Sequence, residues 1–187
     1  MQAKPATPGI DQDTVPTPCV LTGPGAPIAP DALARRAHEL FISARLTCSE
    51  AILQAGCEGL GIEDPLVPAI ALGLGGGVGQ QGATCGILTG AALCISAAVA
   101  SGAPKAAYKE RKQQVMAATA HVLRAFQADF RHTECRPICG LDLTRPGENE
   151  KAKETVRLRV CAPRLESCAR VLAGVLNDLA AMRPPEA

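Results

Sequence analysis

Aromatic residues are nearly missing from this 187-residue chain, which has no Trp, one Tyr and three Phe. A core without them has to be built from Ala, Leu, Val and Ile, whose small side chains let helices approach closely but bury little area each. The same scarcity removes the stacking platforms that hold single-stranded nucleic acids. An excess of one charge is missing too: 19 Lys and Arg stand against 18 Asp and Glu, a net charge of +1. That balance gives no electrostatic case for nucleic acid or for an anionic membrane surface. No apolar run reaches the roughly 20 residues that a bilayer requires. Cys85 to Ala100 comes nearest, and its Gly, Ala and Ser content suits a buried bundle helix. No segment alternates as a sustained strand would, and no repeat of solenoid period occurs. The N-terminal stretch has no basic region followed by an apolar core, so no secretory signal is expected and the expected location is the reducing cytoplasm. Finally, there is no C-x-x-C, no H-E-x-x-H and no C-x-x-C-H, the last of which excludes ordinary c-type haem attachment.

What the chain does have is nine cysteines. In a reducing compartment such thiols are more often catalytic or metal-binding than structural. Four of them sit where helices are expected to begin. Thr47-Cys48-Ser49-Glu50 reads as a capping box, with Thr47 accepting from the Glu50 N–H and Glu50 reaching back to the Thr47 N–H. Thr84-Cys85 repeats the arrangement at the end of a glycine-rich stretch. Thr133-Glu134-Cys135 places a third cysteine just past a cap, with Arg131, His132 and Arg136 beside it. Cys161-Ala162-Pro163 places a fourth ahead of a proline suited to a first helical turn. A helix N-terminus favours thiolate over thiol, so these four are the candidate reactive residues. Cys57, Cys94 and Cys168 fall among Leu, Ile and Ala inside expected helices and read as buried core residues. Cys139, one helical turn from Cys135, is a second-rank candidate that could bridge to it, share a metal with it or simply cap the turn.

The expected organisation is a Pro- and Gly-rich disordered tail over residues 1–30, followed by one helical cysteine-rich domain over 31–183. Helices are expected from Asp31, from Thr47 to about Cys57, from Pro65 to about Leu72, and from Cys85 to about Ala100. Others are expected from Lys105 to about Arg131, over Glu148 to Val160, and from Pro163 onward. Tyr108, Val115, Thr119, Val122, Phe126 and Phe130 form the expected buried stripe of the long helix. Leu165, Cys168, Leu172, Val175, Leu179 and Met182 form the core-facing seam of the last one. Gly77-Val78-Gly79-Gln80-Gln81-Gly82 matches G-x-G-x-x-G by letter, but no strand precedes it and no βαβ unit surrounds it, so nucleotide binding is discounted. Gly75, Gly76, Gly77 and Gly79 stand as the candidate cofactor-contacting positions, on a tight backbone path that brings Cys85 close to another segment. The fold class is all-α, a compact multi-helix bundle with a glycine-rich loop leading into a central helix.

The blocks Thr47-Cys48-Ser49-Glu50-Ala51, Leu74-Gly75-Gly76-Gly77-Val78-Gly79 and Thr84-Cys85-Gly86-Ile87-Leu88-Thr89-Gly90, followed by Phe130, Cys135 and Cys161, resemble the C_GCAxxG_C_C family of redox-active proteins. The resemblance runs from about Asp31 to Val175. It departs at Thr84, where the family's name has Gly, and at Gly86, where it has Ala. It implies a helical domain with four functional cysteines, here Cys48, Cys85, Cys135 and Cys161. Related helical domains occur in split-Soret cytochromes, dimeric electron-transfer proteins, and by that analogy a homodimer is expected here, without the haem motif.

Three functions therefore compete. The first is a cysteine-based redox protein, or thiol oxidoreductase, in which Cys48 or Cys85 attacks a disulfide and a second thiol resolves the mixed disulfide. Its partner would be a redox protein or a small thiol or disulfide. The second is an electron carrier that holds an iron–sulfur cluster or another metal on Cys48, Cys85, Cys135 and Cys161. The third is a structural helical module with buried cysteines.

Overall fold

The computed structural model describes residues 26–102 and 108–182. The tail expectation over residues 1–25, Cys19 included, lies outside them. The packed part begins before Asp31: Ile28 is buried, and its N–H and carbonyl are both held by the Asn177 side chain, at 2.8 and 3.0 Å.

The described residues form an all-α bundle whose elements follow in the order α1 (Pro30–Ile42), α2 (Cys48–Leu60), a 3-10 turn (Ala69–Leu74), α3 (Gly86–Gly102), α4 (Tyr108–Phe130), α5 (Cys135–Cys139), α6 (Glu148–Lys151), a π-helical stretch (Ala152–Cys161) and α7 (Ala162–Ala181). The last helix is the hub, packing against α1, α2, α3 and α4. Leu165, Leu172 and Leu176 of its seam meet Leu33 and Leu40 of α1, Ile52 and Leu53 of α2, and Ile87 and Ile95 of α3 in one core. Cys168 lies in that seam as expected, but Met182 follows the end of α7 and is exposed.

Arg36 lies on the buried face of α1. Its guanidinium forks onto Glu58 of α2 at 2.7 and 3.1 Å, and both side chains are 4% exposed. The charge is tolerated there because its partner is buried with it.

Helices α2 and α3 run parallel, with their N-termini together. A side chain placed at Gly86 would meet Cys48, one at Gly90 would meet Ser49 and Ile52, and one at Gly56 would meet Cys94. At Gly90 an added Cβ would stand 2.3 Å from the Ser49 carbonyl oxygen, so glycine there is a condition of the helix contact.

Three expected helices differ. Pro65 does not open an α-helix: turns lead to the 3-10 segment after Pro68. Proline offers no N–H and biases its predecessor away from helical backbone. The start of the long helix expected at Lys105 lies outside the described residues. Its stripe buries Val122 and Phe126, whereas Tyr108 is 73% exposed because the first turn of α4 stands clear of the bundle. The third difference is at the C-terminal end, where residues 148–181 form one continuous helical rod rather than two helices. Pro163 cannot donate to the carbonyl four residues back and would crowd it. The chain widens instead into π-helical turns just ahead of it, as in the Ala162 N–H bond to the Arg157 carbonyl five residues earlier.

Candidate functional site

The capping box forms as the sequence predicts. The Thr47 hydroxyl accepts from the Glu50 N–H at 3.3 Å, and the Thr47 N–H donates to the Glu50 carboxylate at 2.9 Å. This fixes Cys48 as the first residue of α2. Its sulfur lies against Gly86, where an added Cβ would come within 2.6 Å of Sγ.

Cys85 and Cys135 are joined through their backbones. Thr84 pairs with Glu134 in an isolated antiparallel bridge. The Cys85 N–H donates to the Thr133 carbonyl at 2.8 Å, and the Cys135 N–H donates to the Ala83 carbonyl at 2.7 Å. Thr84 is thus occupied by the bridge and does not cap α3. Cys85 itself takes the cap position, its carbonyl accepting from Leu88 and Thr89.

The glycine loop closes over this bridge. Gly76, Gly77, Val78, Gly79 and Gln80 all have positive φ, a left-handed run that L-residues enter only at a cost of roughly 1–2 kcal/mol each. Gly77, at φ 75°, has no alternative: a Cβ there would lie 2.6 Å from Ala83 backbone and 2.7 Å from the Cys135 Cβ.

Around these segments lies a cavity of about 510 Å³. Its wall carries Cys48, Cys135, Cys139, Cys161, Arg157 and Phe41, and Gly75, Gly76 and Gly79 contribute backbone to it. Gly77 is instead buried beneath, against Ala83 and Cys135. Cys85 is 4% exposed and is not part of the wall, but it lies within electrostatic reach of Cys48, Cys135 and Cys161. The four cysteines singled out by their sequence surroundings therefore stand around one place, three of them on the cavity and one behind it.

Arg157 is the fixed cation of the site. Its guanidinium lies over the Phe41 ring, 3.9 Å from the centroid, and donates to the Phe41 and Leu46 carbonyls. Burial lowers its pKa, an effect opposed by Cys48 and Cys161.

The helix-start argument for low thiol pKa values does not hold here. Burial pushes the Cys48 thiol up, against the backbone N–H groups of Gly76 and Ser49 and the charge of Arg157. Burial, reinforced by Cys48, pushes Cys85 well up. Cys135 is raised by burial and by Cys139. Cys161 is pushed up to about 12, mainly by burial. Desolvation exceeds the field of a helix end at each position. Cys161 is also not at a helix start, since the rod runs through it, and α5 is only five residues long.

Among the described residues, no three His, Cys, Asp or Glu side chains stand close enough to hold one metal ion. Cys48, Cys85, Cys135 and Cys161 come from four separate segments and are spread around a cavity, with Cys85 off its wall. As placed they do not converge on one point, as the ligands of a single zinc ion must.

Cys57, Cys94 and Cys168 are in the core. Cys57 and Cys94 face each other between α2 and α3, and their mutual hydrogen bond lowers the pKa of Cys57 and raises that of Cys94. Cys168 is buried alone. The histidines stand elsewhere: His38 pairs with Glu166 at 2.7 Å, and His121 and His132 are exposed.

Two wall residues were under-read from the sequence. Cys139 shares the wall on equal terms with the cysteines ranked above it. Arg157 is not among the candidates that the sequence singles out, although Arg157, Arg159 and Arg164 all lie near Cys161 in the chain. Its signal was helical spacing, one turn before Cys161 on the same face. Arg159 is exposed, and Arg164 lies over the Phe130 ring, 5.0 Å from its centroid.

A family model described as "Putative redox-active protein (C_GCAxxG_C_C)" matches residues 46–176, which takes in the capping box, the glycine loop and all five cysteines around the cavity. No curated protein matches the chain, and no solved structure does.

Proposed function

The chain belongs to the C_GCAxxG_C_C family of redox-active proteins, and from that premise we propose that it carries out thiol–disulfide exchange in the cavity built on Cys48, Cys135 and Cys161, with Cys85 behind them. The observation that carries this reading is the meeting of sulfurs from four distant segments around one cavity beside a buried guanidinium.

Cys48 is the attacking thiol. It is half-buried on the wall, and the Gly76 and Ser49 N–H groups and Arg157 favour its thiolate. The thiolate attacks one sulfur of an incoming disulfide, whose other sulfur leaves and takes up a proton. Cys135 then loses its proton and attacks the Cys48 sulfur, expelling the second half of the substrate. The products are a Cys48–Cys135 disulfide and two substrate thiols. Cys85 and Cys161 stand within electrostatic reach of both Cys48 and Cys135.

The test is anaerobic titration of the reduced protein with bis(2-hydroxyethyl) disulfide, followed by desalting and counting of the protein's own thiols. The thiol count is expected to fall in even steps and to stay unchanged in Cys48→Ser, while Cys168→Ser reacts as wild type with lowered stability. Native thiols that do not react, or a Cys48→Ser variant that reacts as wild type, would overturn the reading.

A further inference from the structure

The cavity holds a sulfur that the family's four-cysteine pattern does not include. The geometry points to Cys139 as a fifth working thiol, the outlet through which the disulfide formed on Cys48 and Cys135 is passed to an external dithiol. This inference rests on the exchange reading above and extends it.

Three observations carry it. First, Cys135 is enclosed, at 8% exposure, with its Cβ against Gly77 and its N–H tied to Ala83. A thiol held in this way exchanges with the outside through a more accessible neighbour. Cys48 and Cys139 are both half-buried wall residues, and the charges of both act on Cys135. Cys135 is therefore flanked by two accessible sulfurs, one suited to entry and the other to exit.

Second, Cys139 is on the same five-residue helix as Cys135, one turn on, and both side chains line the same cavity. Residues so spaced lie on one helical face with Cβ atoms about 5–6 Å apart, and a disulfide between them needs that single turn, which ends at Gly140, to tighten toward the roughly 3.5–4.5 Å a disulfide takes.

Third, backbone groups hold the Cys139 sulfur in place on the wall. The Leu141 N–H donates to its Sγ at 3.4 Å, while the thiol itself has only long contacts to the Leu141 and Arg136 carbonyls, at 3.6 and 3.8 Å. Gly140, just beyond, is exposed in left-handed conformation and ends the helix, leaving this turn at the surface.

The step balances without another reagent. The Cys139 thiol gives up its proton, and its thiolate attacks Sγ of Cys135 in the Cys48–Cys135 disulfide. The Cys48–Cys135 bond breaks, and Cys48 leaves as thiolate and takes up a proton. A Cys135–Cys139 disulfide remains, with no net change in oxidation state. An external dithiol then attacks Cys139, is itself oxidised to a disulfide, and returns Cys135 and Cys139 to thiols.

The experiment uses the whole chain. Reduced protein is oxidised with one equivalent of bis(2-hydroxyethyl) disulfide, trapped with acid and N-ethylmaleimide at a series of times, digested and read by mass spectrometry. Re-reduction is followed with reduced thioredoxin, a dithiol protein too large for the cavity. In wild type, the Cys48–Cys135 linkage is expected first, and then one peptide carrying both Cys135 and Cys139 unalkylated. In Cys139→Ser and Cys139→Ala, the first linkage should form at the wild-type rate, which also shows that the variants fold. Their re-reduction by thioredoxin should slow about tenfold or more. Wild-type re-reduction rates in both variants, or a Cys48–Cys135 linkage never followed by Cys135–Cys139, would overturn the role of Cys139 and leave the exchange reading standing. Wild-type protein that forms no Cys48–Cys135 linkage at all would remove the exchange reading, and this inference with it.

Discussion

Each thiol on the cavity wall is pulled in two directions. Burial holds the proton on, while nearby N–H groups and the Arg157 guanidinium favour its loss. At Cys48 the balance stays on the raised side of the ordinary thiol value of 9.0. The thiolate, not the thiol, is the nucleophile, so the rate of Cys48 alkylation is expected to keep climbing with pH beyond 9.0. Arg157 sets how far the balance tips. Replacing it with Met removes the one charge that lowers the pKa of both Cys48 and Cys161, apart from the Arg164 contribution at Cys161. Iodoacetamide labelling of Cys48 in Arg157→Met at pH 8 is expected to fall by about 3–10-fold, the effect of losing a nearby opposite charge. Arg157→Lys keeps the charge but not the planar fork over Phe41 and its carbonyls, and is expected to recover part of the rate. A pH–rate profile that does not move in Arg157→Met would show that the guanidinium serves packing alone.

Glycine on two helices makes opposite predictions. Gly90 lies where α3 crosses α2, and a methyl group there would collide with Ser49 backbone, which cannot rotate away. Gly90→Ala is expected to cost about 1–3 kcal/mol in urea unfolding and to displace Cys48, which follows from overpacking at a close helix contact. Gly174 sits on the exposed side of α7 with nothing within 4 Å of an added Cβ. Gly174→Ala is expected to stabilise by about 0.5–1 kcal/mol, because the unfolded chain loses freedom and nothing is displaced. A similar sign for both would contradict the helix contact described for Gly90. These elements also show what the sequence made legible. The capping box at Thr47 and the seam of α7 could be read because their determinants lie within one or two turns. The cap expected at Thr84 failed because that residue pairs with Glu134, a partner 50 positions away by chain numbering. The helix start expected at Cys161 failed because Pro163 suits a first turn equally well as it suits the end of a π-helical widening, and local residues do not separate the two. The cavity itself was not legible, since it depends on where four segments meet.

Most of the thiols, in the cavity and in the core alike, share one titration behaviour, and it couples the site to the stability of the whole bundle. Cys48, Cys85, Cys94, Cys135, Cys161 and Cys168 all have raised pKa values in the folded protein, while Cys57 alone is lowered. In the unfolded chain all titrate near 9.0. Below that pH a raised thiol is protonated in both states and adds no pH dependence. Above it the unfolded chain loses protons that the folded chain keeps, so stability falls as pH rises, by about 1.4 kcal/mol per pH unit for each such thiol. The fall continues until the folded thiol itself titrates, at about 12 for Cys168. Cys168 is the cleanest case, because burial is the sole cause of its shift and it lies 2% exposed in the seam of α7, away from the cavity. Reduced wild-type protein is therefore expected to lose urea stability steeply between pH 9 and 11, at fixed ionic strength. Cys168→Ala is expected to be weaker at pH 7, having lost core contacts, but to fall less steeply, by about 1.4 kcal/mol per pH unit above pH 9. The two stability curves should then converge as pH rises. Parallel curves through that range would mean that the Cys168 thiol titrates as freely in the bundle as in the unfolded chain, contrary to its place in the core.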